Sequence, residues 1–435
     1  MAKLWDKGFS EDERIDAFTV GKDRELDLML APYDIQGTMA HITMLQSVGL
    51  LEEDELNALI TELVKLHEMA ERGEFTISPD VEDVHSQVEF MLTEKLGDLG
   101  KKVHTGRSRN DQVLVDVKLF TRAELLKTMG KVKALFDVLS EASDKYKDVL
   151  MPGYTHLQVA MPSSFGMWFG AYAETLTDDM RMLVAAYDAA NQNPLGSAAG
   201  YGSSAPLNRH MTTELLHFED LNYNSVAAQM GRGKLERMAS FALSCVAETL
   251  GRFAMDCCLF NSQNFGFVKL PDNMTTGSSI MPHKKNPDVF ELIRSHCNKI
   301  CGAPNTIRLM TTNLPSGYFR DMQLLKEEYL PLFGELDDCL DIAMHAISKM
   351  SVTEGLMNDP KYKAAFSVEE VNRLVKEEGV PFRDAYKRVG MAIQKGEFEF
   401  NGTLNHTHEG SIGNLCNAEI RAKMDRIVGG LLKDC

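Results

Sequence analysis

Residues 276–291, TGSSIMPHKKNPDVFE, bring together the densest set of chemically capable side chains in the sequence. Gly277 lends flexible backbone to the hydroxyls of Ser278 and Ser279, and Pro282 and Pro287 break regular structure on either side of His283, Lys284 and Lys285. Hydroxyls and cationic donors held on a loop suit an active site; the same composition also suits a solvated surface turn. The text then turns helical. Asn286 is a good N-cap, Pro287 fits the first helical position, and Asp288 and Glu291 suit the first turn, which predicts a helix running to about Thr311.

Two further breaks carry reactive groups. VHTGRSRNDQ, residues 103–112, sets Arg107, Ser108, Arg109 and Asn110 ahead of a long helical run. It reads either as a helix-capping turn or as a carboxylate site, since a guanidinium offers two planar donors to a carboxylate. MPGYTHLQ, residues 151–158, puts Thr155 and His156 between a Pro-Gly turn and an apolar helix, where a histidine either packs or faces a cleft. The net charge of −17 makes nucleic acid and anionic membranes poor partners and makes cation clusters notable. Such clusters recur at Arg107/Arg109, Lys284/Lys285 and Arg320/Lys326, and a small anionic substrate is one reason for them.

The elements that must position these groups are helices. Apolar residues recur at three- and four-residue intervals, as in Leu30, Tyr33, Ile35, Met39, Ile42 and Leu45. Long helical runs are predicted from Asp111 to about Leu150, Pro162 to Asn191, Ala228 to Phe260, Asp288 to Thr311 and Gln323 to Met350. Period-two alternation is nearly absent apart from stretches such as Glu397 to Phe400. The expected fold is all-α, in three helical domains: residues 1–105, a central long-helix bundle over 106–355, and a small domain over 356–435.

Apolar residues make up 44% and charged ones 25% of the 435, a globular composition. The N-terminus, MAKLWDKGFSEDERIDAF, lacks the basic and apolar regions of a signal peptide, and no run approaches the ~18 apolar residues of a membrane span, which predicts a cytoplasmic protein. The eight cysteines lack metal-ligand spacing and read as buried, reduced thiols. The loop PLGSAAGYGSS, residues 194–204, matches neither phosphate-binding fingerprint.

GSSIMPHKKNP resembles GSSxMPxKxNP, the signature of the fumarase/aspartase superfamily. With GRSRNDQ and GYTHLQ the chain resembles the branch of that superfamily that acts on argininosuccinate, and the likeness extends through DIQGTMAH, EDVHSQVE, LPSGYFRDMQLLKEE and EEGVPFRDAYKRVG. The resemblance implies a reversible elimination yielding arginine and fumarate, with no metal or organic cofactor, in a homotetramer whose central helices form a twenty-helix core. Each active site would draw on three subunits. By the same resemblance Ser278 is the general base, Lys284 and backbone N–H groups stabilise its alkoxide, and Lys284 and Asn286 hold the carboxylate on which charge accumulates. His156 matches the acid-side residue and Glu291 the glutamate paired with it; Thr155, Arg109 and Asn110 match substrate-binding positions. Tyr318, Arg320, Gln323 and Lys326 match positions holding the arginine-like and carboxylate ends, and Asp27 an aspartate facing the guanidinium end.

Departures from the family pattern fall at Asp23, where serine is usual, and at His283, Phe319, Leu324 and Leu325. The rival readings are another superfamily lyase, acting on adenylosuccinate, aspartate or malate, and a non-catalytic crystallin-like protein on the same scaffold. A helical interaction protein is a third, though it predicts no Ser/Lys/Arg clusters confined to helix breaks.

Overall fold

The computed structural model describes residues 12–432. Cys435 and most of the N-terminal stretch read for a targeting signal lie outside that range. Helices dominate, as the periodicity requires. In chain order the principal elements are α1 (Ala31–Ser47), α2 (Glu53–Glu71), α3 (Val84–Leu96), α4 (Arg109–Lys145), β1 (Leu150–Thr155), β2 (Gln158–Ser164) and α5 (Phe165–Ala190). There follow α6 (Lys234–Asn261), α7 (Asp288–Met310), α8 (Pro331–Lys349), α9 (Ser367–Glu378), α10 (Phe382–Gln394) and α11 (Asn417–Val428).

The residues cluster into two compact units, each assembled from separated stretches: residues 1–128, 182–244 and 299–335 in the first, and 129–181, 245–298 and 336–435 in the second. Each of the five long helices, α4 to α8, begins in one unit and ends in the other.

In the first unit, α2 starts at a capping box, in which Glu55 accepts from the Glu52 N–H at 3.1 Å. Its Leu59, Leu63 and Leu66, spaced at four and three residues, face Ile35, Ile42 and Leu45 of α1 and Val88 and Leu92 of α3. Burying each such leucine contributes about 2 kcal/mol. In the second unit α5, α6 and α7 meet around aromatic rings: Trp168 stacks on Phe253 at 5.3 Å, and Phe290 packs edge-on against Phe253. The carboxylate of Asp256 accepts from Trp168 Nε1 at 3.0 Å and from the Tyr172 hydroxyl at 2.7 Å, so both buried polar tips are satisfied. Helices α9 and α10 close a small satellite core of Val371, Leu374, Ala385 and Val389, with Gly379 in the left-handed region ending α9.

Four local expectations need correction. MPGYTHLQ is half of an antiparallel hairpin, β1 with β2, while 397–400 forms no strand. α4 accordingly stops at Lys145, before the hairpin. The last long run is also broken, with a 3-10 turn over Arg320–Leu324 and a short helix over Leu325–Tyr329 preceding α8, because Pro331 cannot donate to the turn before it. Among the described cysteines Cys257, Cys297 and Cys339 are buried, whereas Cys301 is exposed. No described helix is long and apolar enough to cross a membrane.

Candidate active site

The first unit encloses a cavity of about 260 Å³ to which seven of the sequence-selected residues contribute: Asp27, Arg109, Asn110, Tyr318, Arg320, Gln323 and Lys326. Its wall is built where helices begin. Gly106, at φ +74°, turns the chain into α4; a Cβ there would sit 2.9 Å from Leu207 Cδ2. Ser108 caps α4, its Oγ accepting from the Asn110 N–H at 3.2 Å. Arg107 is then directed inward, buried, donating to Thr38 Oγ1 at 3.0 Å, whereas Arg109 Nη1 reaches Glu82 Oε2 at 3.0 Å and Asp83 Oδ2 at 2.9 Å. The carboxylate of Asp83 in turn caps α3 by accepting from the Ser86 N–H.

From the other side Arg320 Nη2 donates to Glu82 Oε1 at 2.6 Å and Nε to Gln323 Oε1 at 3.0 Å, while Gln323 Nε2 holds the carbonyl of Thr19 at 2.6 Å. Burial opposes ionisation of Glu82, yet the bonds from Arg109 and Arg320 hold its carboxyl below the usual range. Lys326 lies between Asp27 at 2.6 Å and Asp23 at 2.7 Å. Behind this wall His85 donates from Nδ1 to Asp34 Oδ1 at 2.6 Å and lies 3.6 Å from Asp116 Oδ2. Burial would lower its pKa, but Asp34 and then Asp116 push it up to about 9, so the ring is an imidazolium at neutral pH.

The second unit holds the other six candidates. A backbone bridge closes the 276–286 loop: Asn286 N–H donates to the Thr276 carbonyl at 2.9 Å, and Thr276 N–H returns the bond at 3.3 Å. Inside the loop the N–H groups of Met281 and Ile280 point at Ser278 Oγ, at 3.1 and 3.4 Å. Two donors aimed at one hydroxyl oxygen favour negative charge on it, which is what a serine base requires. Lys285 pairs with Asp272, while the exposed Lys284 ammonium pairs with no described carboxylate. Asn286 does not cap α7; its side chain reaches back to Thr276 Oγ1 at 3.3 Å, and the helix starts at Asp288 with Glu291 exposed in its first turn.

His156 and Leu157 form the two-residue turn of the β1–β2 hairpin, just past Thr155, at φ +54° and +57°. Both lack the glycine or asparagine that such a turn favours, a local strain of order 1 kcal/mol per residue. Both are exposed, and no hydrogen bond or ion pair joins His156 to Glu291 within the chain.

A model of the lyase family matches residues 9–302. The chain is 62% identical over 427 residues to the argininosuccinate lyase of Parabacteroides distasonis, an alignment spanning 98% of this chain and 96% of that protein. The chain belongs to the argininosuccinate lyase family. Its likeness to that of Thermotoga neapolitana is 38% over 387 residues, covering 89% and 97% of the two chains. Among solved structures, a variant of EDDS lyase with bound fumarate superposes with a TM-score of 0.77 at 22% identity, covering 98% of this chain and 91% of that one. A fumarate lyase:delta crystallin from Brucella melitensis bound to cobalt gives 0.71 at 17% identity. At those identities the two structures bear on the fold alone.

Sequence reasoning noted Asp23 only as a departure from the family pattern and passed over four other cavity residues that carry ionisable groups: Glu82, Asp83, His85 and Arg232. EDVH is a run of ionisable groups directly before a helix, and its role as an N-cap hides any other. Arg232, flanked by Gly231 and Gly233, is a guanidinium on a glycine break, the same signal that singled out Arg107 and Arg109.

Proposed function

We propose that this chain is an argininosuccinate lyase, splitting argininosuccinate reversibly into arginine and fumarate as a step of arginine biosynthesis. In the reaction, the Ser278 alkoxide removes a proton from the carbon beside a carboxylate, and the carboxylate takes up charge as an aci-dianion. The C–N bond then breaks, its electron pair leaving with the arginine nitrogen, which is protonated, while the former C–H pair forms the double bond of fumarate. The Met281 and Ile280 N–H groups favour the alkoxide, and the unpaired Lys284 ammonium with Asn286 stabilises the dianion; one such donor is typically worth about 3 to 4 kcal/mol. His156, oriented by Glu291, serves the acid side, and Thr155 contacts substrate. Arg109, Asn110, Tyr318, Arg320, Gln323, Lys326 and Asp27 hold the substrate's ends. The observation that carries the reading is the near full-length 62% identity, to which the donor geometry at Ser278 adds a chemical reason.

The finer picture is a cytoplasmic homotetramer with a twenty-helix core and sites drawn from several subunits. Two features support it: His156 and Glu291 make no pair within one chain, and the long helices expose large apolar side chains such as Phe241, Leu292, Leu309 and Ile342. The direct test follows fumarate absorbance with argininosuccinate, adenylosuccinate, aspartate and malate offered separately. Release from argininosuccinate is expected, and release from one of the other three instead would overturn the substrate assignment.

A further inference from the structure

The second unit carries a hydroxyl, an imidazole and a carboxylate in one hydrogen-bonded line, apart from every residue assigned to the elimination. His406 Nδ1 meets Ser411 Oγ at 2.7 Å, and its other ring nitrogen, Nε2, meets Glu369 Oε1 at 3.0 Å. Glu369 stands in the first turn of α9, while His406 and Ser411 belong to the loop that precedes α11. A carboxylate only accepts, so the Nε2 facing it carries the proton, and Nδ1 of the neutral ring turns its lone pair to the Ser411 O–H. This is the arrangement of a general base held in one tautomer by a carboxylate. A latch for the loop needs only one of the two bonds.

The backbone around the serine fits the same role. Ser411 is 4% exposed, in a turn that is open to solvent at Gly410 and Gly413. Gly413, at φ +91°, lets the turn lie against the histidine, since a Cβ there would sit 3.1 Å from the His406 carbonyl oxygen. The Asn414 N–H closes the turn on the Ser411 carbonyl at 2.9 Å, and the Asn414 amide holds the Thr407 carbonyl at 3.1 Å. The N–H groups of Ile412 and Gly413 make no hydrogen bond among the described residues, and the N–H that follows a nucleophile is a common donor to an oxyanion. We propose that Ser411 is an acyl-accepting nucleophile, a second reactive centre whose substrates are esters of short acyl groups, the only ones small enough for so covered a hydroxyl. Ser411 Oγ bonds the acyl carbon as its proton passes to His406 Nδ1, and the ester C–O bond breaks, the alcohol leaving with that proton. Water then adds to the acyl carbon by the same route, releasing the carboxylic acid and restoring the hydroxyl. Glu369 touches neither reactant and is a positioning residue.

The test incubates the full-length protein with p-nitrophenyl acetate, follows p-nitrophenol release and locates the acetyl group by peptide mass spectrometry. Acetyl is expected on Ser411, with release slowed at least ~tenfold in Ser411→Ala. Glu369→Gln can still accept from Nε2 but no longer fixes the tautomer, and it is expected to slow acylation about tenfold with KM unchanged, a split that loosening of the loop would not produce. Both variants should keep the wild-type circular dichroism. An unlabelled Ser411 in the wild type, or release unchanged in Ser411→Ala, would overturn the proposal and leave the three residues as a latch between the loop and α9. Acylation of Ser411 at the wild-type rate in Glu369→Gln would overturn the relay.

Discussion

At the scale of single residues, His85 joins the cavity to a buried charge cluster. Asp34 and Asp116 flank it, the buried Arg107 interacts with both of these acids, and Asp116 is also raised well above the usual carboxylate range, by burial and then by Asp34. Both shifts mean that the folded cluster holds more protons than its members would free in water. The stability that His85 contributes is full below its ordinary 6.5 and is lost as pH rises through about 9. Unfolding by urea should therefore show a loss on the order of 3 kcal/mol between about pH 6.5 and about pH 9.5, and His85→Gln should flatten that slope. A wild-type slope unchanged by the substitution would mean that the imidazolium is not what titrates. Ser278, Lys284 and Arg109 were legible in the sequence because reactive types crowd glycine and proline breaks. The roles of Asp23 and His85 were not, because what matters about them is burial beside a charge brought from about 50 to 300 residues away in sequence.

At the scale of elements, a single carboxylate ties a loop to a helix start. Asp111, in the first turn of α4, accepts from the Ser108 N–H at 2.9 Å through one oxygen and from the Gly196 and Ala198 N–H groups at 3.0 and 2.9 Å through the other. Asp111→Ala would leave the two loop donors buried and unpaired, at about 1 to 3 kcal/mol each, and should destabilise the protein by about 3 kcal/mol or more. A loss below about 1 kcal/mol in chemical denaturation would mean that water replaces the carboxylate. Long helices were readable because their apolar stripes repeat over many turns. The hairpin was not: Pro152 faces Pro162, the register shifts between Pro152 and Tyr154, and the turn uses His156 and Leu157 in place of the expected Asn-Gly. Helix breaks also divide a sequence only into contiguous pieces, and neither compact unit is contiguous.

At the scale of the whole molecule, the candidate residues divide seven to six between the two units, and the proposed sharing of each site among subunits can be tested by mixing. Co-expressed His156→Asn and Ser278→Ala, each inactive alone, should recover a sizeable fraction of wild-type fumarate release, because some sites in a hybrid tetramer collect only intact segments. Activity no higher than the parents, in a sample shown to contain hybrids, would place both residues in one chain's site. The chain is expected to eliminate fumarate from argininosuccinate with Ser278 as base, and the most direct measurement compares wild type with Ser278→Ala on that substrate. Wild type should release fumarate and arginine in equal amounts, and the variant, folded and assembled as before, should lose at least about 10³-fold in kcat. A variant that turns over at near wild-type rate, or a wild type that releases no fumarate, would contradict it.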